Sequence, residues 1–335
     1  MSTKNKKFFK YFREYQWSNV FAMLKNNRSS PKICADDFTG KLVVITGATS
    51  GIGKVTARKY AEHGANLLCI NRNVEKSEQL KKEIEGEFGV KCDCMIADLS
   101  LLKDIHRVAK ELSELSRPID VIIHNAGVYL TKKELTPDGL EKVFAVHYLS
   151  SFMINYFLMD KLKSQNKARI VLVSSEGHRF AAWGLRLDNL NWEKGRYSGL
   201  KSYGSAKLAQ LLSMLVFNAH FQNSGVTINA MHPGAVKTET GQENGPVYRW
   251  FKRNFLDKTL KSADISAEAL YYLGVSAELE GVSGKFFNLT TEEEPSPPAL
   301  DVEIAGELWC KTLEMCGINM ENATREHPMT NGLNQ

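Results

Sequence analysis

Tyr203 and Lys207 stand four residues apart in the run Tyr203-Gly204-Ser205-Ala206-Lys207, a spacing that puts a phenol and an ammonium on one face of a helix. That pair suits acid/base chemistry. A free tyrosine has a pKa of about 10 and is a poor base near neutrality, whereas a cation beside it favours the phenolate. An ordinary amphipathic helix gives the same spacing, so its weight comes from what precedes it. The run Leu42-Val43-Val44-Ile45-Thr46-Gly47-Ala48-Thr49-Ser50-Gly51-Ile52-Gly53-Lys54 passes from an apolar strand through a tight turn into a helix. Without a Cβ, Gly47 and Gly51 let the backbone approach a pyrophosphate, and the helix beginning there offers unpaired N–H groups and a positive dipole end. The expected cradle is Gly47, Thr49, Ser50, Gly51, Ile52 and Gly53.

About twenty residues past such a turn, a cofactor with a free ribose 2′-OH calls for an acidic side chain. This chain offers Asn71-Arg72-Asn73. A guanidinium there binds a 2′-phosphate through charge-assisted hydrogen bonds that a carboxylate would repel. NADP(H) is therefore favoured over NAD(H), although a solvated surface arginine reads the same in sequence.

The Gly-x-x-x-Gly-x-Gly spacing of Gly47, Gly51 and Gly53 resembles the glycine motif of the short-chain dehydrogenase/reductase family. Further stretches resemble that family's site, and their roles follow from the resemblance. Asp98-Leu99 would meet the adenine, and Asn125-Ala126-Gly127 would close the fourth strand beside the adenine ribose, with His124 where another Asn is common. Ser175, or failing it Ser174, would hold the substrate oxygen. Tyr203 and Lys207 would be catalytic and also touch the cofactor, while Pro233, Gly234, Val236 and Thr238 would lie at the nicotinamide end. The phrases Leu190-Asn191-Trp192-Glu193-Lys194-Gly195-Arg196-Tyr197 and Met231-His232-Pro233-Gly234-Ala235-Val236-Lys237-Thr238 resemble the retinol dehydrogenase subgroup in particular. One departure stands out: the family's helical Asn, part of a water and proton relay to the lysine, falls at His147. That imidazole can serve the relay, mark a weakened enzyme, or be a neutral histidine satisfied in packing.

The elements that must position these residues alternate. Apolar runs at 42–46, 66–70, 91–97, 121–125, 170–174, 227–231 and 285–288 read as strands, with helical spacing at 54–63, 77–88, 101–115, 139–162, 202–221, 266–277 and 301–315. The pattern predicts a single α/β domain over 37–318, a doubly wound (Rossmann) parallel sheet of seven strands with helices on both faces. The acidic, proline-rich stretch 292–298 should break regular structure. Residues 239–262, rich in aromatic and basic side chains, resemble a substrate lid. Residues 319–335 read as a polar tail, and 1–36 as a basic aromatic arm that either lies on a lipid surface or packs on its own domain.

A net charge of +5 over 335 residues gives no reason to expect nucleic acid. The six cysteines show neither a CxxC pair nor a grouping with histidine, so no metal site is expected and the thiols read as reduced. No signal peptide is visible, which points to a cytoplasmic location with peripheral membrane contact through the arm or lid, and not to secretion. The expected function is interconversion of an alcohol and a carbonyl on a hydrophobic small molecule, the family likeness adding a homodimer through the Tyr203 helix. The rivals are sugar-nucleotide epimerisation, disfavoured by its different glycine spacing, and a catalytically weakened cofactor-binding scaffold or sensor.

Overall fold

Leu42-Val43-Val44-Ile45-Thr46 is buried at every position, as a central strand covered on both faces must be, and it forms the middle of the sheet. The computed structural model describes residues 11, 14, 30–236 and 262–319. Thr238, residues 239–261 of the expected lid, most of the arm and the tail beyond Asn319 lie outside the described residues. The strands are β1 (Leu42–Thr46), β2 (Asn66–Asn71), β3 (Cys92–Ile96), β4 (Val121–His124), β5 (Ala168–Val173), β6 (Val226–His232), β7 (Phe286–Asn288) and β8 (Thr291–Glu293). They form one sheet in the order β3-β2-β1-β4-β5-β6-β7-β8. Strands β1 to β7 are mutually parallel and β8 pairs antiparallel with β7.

The sheet therefore has eight strands where seven were expected, and β8 runs into the stretch expected to break structure. Leu289, at a φ of 53°, turns the chain back so that Asn288 pairs with Thr291. Thr291-Glu292-Glu293 has no apolar pattern of its own and is held by backbone pairing at the sheet edge.

Helices α1 (Gly51–Glu62), α2 (Val74–Phe88), α3 (Leu102–Ser113), α4, α5 (Gly199–His220), α6 (Asp264–Val275) and α7 (Val302–Met315) cover the two faces. Helix α4 is a composite of Lys142–Phe144, a π-helical segment Ala145–Leu149 and Ser150–Gln165. One core gathers α3, α4, α5 and α7 on one side of the sheet, and a second gathers α1, α2 and α6 on the other.

Helix α5 is apolar nearly all round and buried by its own chain. Trp309 of α7 packs edge-on against Phe152 of α4 and Phe217 of α5, each at 4.8 Å between ring centroids. Tyr148 and Thr312 share a buried 2.7 Å hydrogen bond. Helix α7 thus packs against the helix that carries Tyr203.

From the arm, Tyr11 is buried: its hydroxyl donates to Asp301 Oδ2 at 2.6 Å and its ring fills the space beside Gly184. At that point the arm packs on its own domain. Among the described residues no helix is long and apolar enough to cross a membrane.

Candidate active site

Strand order reverses between β1 and β4, and a doubly wound sheet opens a crevice at such a switch point. A cavity of about 720 Å³ lies there. Its walls include Gly47, Thr49, Ser50, Gly51, Ile52, Arg72, Asp98, Leu99, Asn125, Ala126, Gly127, His147, Ser174, Ser175, Tyr203, Lys207, Pro233, Gly234 and Val236. Among the described residues the structure thus brings the expected site residues together, except Gly53, which packs behind the turn; Thr238 lies outside the described residues.

Close contacts require glycine at Gly47, Gly53 and Gly127. Gly47 has a φ of +70°, and a Cβ there would sit 3.0 Å from Ala126 Cα. A Cβ on Gly53 would lie 2.1 Å from Gly47 O, so α1 could not approach the turn. One on Gly127 would meet the His147 ring at 2.3 Å. The turn is held from its neighbours: Asn71 Oδ1 accepts from Ala48 N at 2.7 Å, and Asn125 Nδ2 donates to Thr46 O and Gly47 O at 3.1 and 2.8 Å. Asn125 was expected beside a ribose, and here its amide ties β4 to the glycine turn.

These residues fit a dinucleotide. Helix α1 starts at Gly51 with no side-chain cap on Ser50 and no acid in its first turn, leaving N–H groups for an anion. Asn71 Nδ2, His147 Nδ1, Ser174 Oγ and His232 Nδ1 are buried around the cavity with no partner among the described residues. A bound polar ligand would relieve that cost. Lys76, on the first turn of α2, lines the cavity with Arg72. Its spacing four residues after Arg72 was a signal that the sequence reading passed over.

At the other end, Ser175 precedes the 3₁₀ turn Glu176–Ala181 and its Oγ accepts from Gly177 N at 2.9 Å. A Cβ on Gly177 would meet the Tyr203 ring at 2.7 Å and Ser175 Oγ at 3.2 Å, so this glycine lets hydroxyl and phenol meet. No sequence motif marked it. Tyr203 is partly buried at the cavity wall; burial pushes its phenol up and the hydrogen bond with Ser175 pulls it down. The Lys207 Nζ stands over the Tyr203 ring, 5.7 Å from its centroid. It donates to Val173 O at 2.6 Å and Gln210 Oε1 at 3.1 Å, and burial lowers its pKa to about 7. Desolvation is the first cause of the shift at both groups.

His147 sits in the π segment, its ring 5.2 Å from that of Tyr203 and perpendicular to it. Burial first, then the charge of Lys207, drive its pKa well below the usual histidine range. Its Nε2 lies 2.8 Å from Val128 O and 3.1 Å from Val128 N, either of which one tautomer satisfies. Of the three readings left open, the neutral packed histidine accounts for Nε2, while Nδ1 stays without a partner.

A family model for short chain dehydrogenases matches residues 41–184. Retinol dehydrogenase 13 from Homo sapiens is 36% identical over 295 residues, covering 87% of this chain and 88% of the relative. The WW domain-containing oxidoreductase from Homo sapiens is 34% identical over 279 residues, 82% of this chain and 67% of its own length. Among solved structures, an uncharacterized protein from Mycobacterium Paratuberculosis superposes with a TM-score of 0.64 at 25% identity, over 88% of this chain and 97% of its own. With the glycine turn, the Tyr203 and Lys207 pair and Ser175 converging on one crevice, this chain belongs to the short-chain dehydrogenase family and is an oxidoreductase of the alcohol and carbonyl class, related to the retinol dehydrogenases.

Proposed function

We propose that the enzyme interconverts an alcohol and a carbonyl on a lipophilic substrate of retinoid, sterol-like or lipid aldehyde type, with NADP(H) as the hydride carrier. One observation carries the reading: a single cavity has a glycine turn and two cations at one end and Ser175, Tyr203 and Lys207 at the other. The dinucleotide, when bound, supplies or accepts the hydride. Arg72 and Lys76 would hold a 2′-phosphate, there being no carboxylate at the end of β2 to repel one. Val128, Tyr129 and Val146 give the reacting end an apolar wall, consistent with the substrate class that the name of retinol dehydrogenase 13 carries.

In the reducing direction Tyr203 is the acid. Its raised pKa keeps the proton on the phenol at neutral pH until an oxygen gaining negative charge takes it. Ser175 spends a lone pair on Gly177 N, leaving its own proton for that same oxygen. Lys207 uses two of its three ammonium donors on Val173 and Gln210, so one remains for a cofactor hydroxyl in the cavity. Pro233, Gly234 and Val236, past β6, would close the nicotinamide end.

The test is NADPH consumption with all-trans-retinal and a panel of aldehydes and ketones. Tyr203→Phe is expected to lower kcat by about 10² to 10⁴ while NADPH binding, followed by fluorescence, is kept. Wild-type protein that binds NADPH but turns over no carbonyl would instead support the scaffold or sensor reading.

A further inference from the structure

Gln210 lies one helical turn beyond Lys207 on α5, is 1% exposed, and reaches two groups of the site at once. Its Oε1 accepts from Lys207 Nζ at 3.1 Å, and its Nε2 donates to His147 O at 2.8 Å. The second bond goes to a carbonyl of the π segment, where the helix departs from its regular ladder. Ser151 Oγ donates to the same carbonyl at 3.2 Å. A buried amide that satisfied only itself could have been any apolar side chain, and this one joins the lysine to the π segment.

We propose that Gln210 is a positioning residue for Lys207: its carboxamide holds the ammonium against Val173, aims the remaining N–H into the cavity, and occupies the His147 carbonyl. The assignment rests on the proposed roles of Tyr203 and Lys207. Titratable groups facing the ammonium are Tyr203 on its own helix and His147 from the π segment, and no carboxylate contributes to its titration. A carboxylate placed at 210 is therefore a clean probe.

The test follows Lys207 itself in the full chain labelled with [ε-13C]lysine, its resonance identified by loss in Lys207→Arg. Gln210→Glu should raise the midpoint by more than about one unit, since an opposite charge at this distance favours the ammonium. Gln210→Met, nearly isosteric, removes an acceptor of the ammonium and should lower the midpoint by about half a unit or more. Should Gln210→Glu fail to fold, Gln210→Asn, one methylene too short to span both partners, is expected to shift as Met does. With NADPH and all-trans-retinal, Gln210→Met should lower kcat about tenfold with KM for retinal unchanged, and the pH profile of kcat should move with the midpoint. Midpoints within about 0.2 unit of wild type in the folded variants would overturn the assignment. Because the titration needs neither cofactor nor turnover, it separates failure of this inference from failure of the dehydrogenase reading.

Discussion

Desolvation acts on Tyr203 and Lys207 in opposite senses, raising the phenol and bringing the amine to about 7. Each is thereby kept closer to its neutral form, which for the tyrosine means a proton held until the substrate oxygen needs it. The motif showed these two residues, Ser175 and the glycine turn, because their chemistry lies in residue type and local spacing. It could not show Gly177 or Gln210, whose roles exist only where separate elements meet. Arg72 is a matter of one charge. If it receives a 2′-phosphate, Arg72→Asp replaces an attraction with a repulsion, and a charged hydrogen bond is worth about 1.5–3 kcal/mol. The ratio of kcat/KM for NADPH over NADH should then fall by at least about tenfold and reverse. An unchanged ratio would remove Arg72 from cofactor choice.

At the scale of elements, the parallel strands were legible because a sheet covered on both faces demands unbroken apolar runs, as in Val226–His232 and Ala168–Val173. Boundaries slipped where glycine blurs the signal: α1 starts at Gly51, three residues before the helical spacing becomes visible at Lys54. Strand β8 was missed because two of its three residues are exposed and all are polar. The π segment was invisible as well, a widened turn leaving no mark in a helix whose side chains are buried all round. Helix α7 was found by its periodicity, but what it covers was not. Trp309 joins α7 to α4 and α5, so Trp309→Ala should cost about 3–5 kcal/mol of unfolding free energy in a denaturant titration. A loss below about 1 kcal/mol would mean that α7 is not part of the cooperative core.

For the whole molecule, the two cores clamp one twisted sheet, and its switch point opens a crevice long enough to hold both ends of a dinucleotide. All of the proposed chemistry depends on the coenzyme lying in that crevice in one direction. The most direct test is a crystal structure of the full chain with NADPH at saturating concentration. The account predicts the 2′-phosphate beside Arg72 and Lys76, the pyrophosphate on the Gly47 to Gly53 turn, and the nicotinamide facing Tyr203. An empty crevice, or a coenzyme lying with its nicotinamide away from Tyr203 and Lys207, would contradict it.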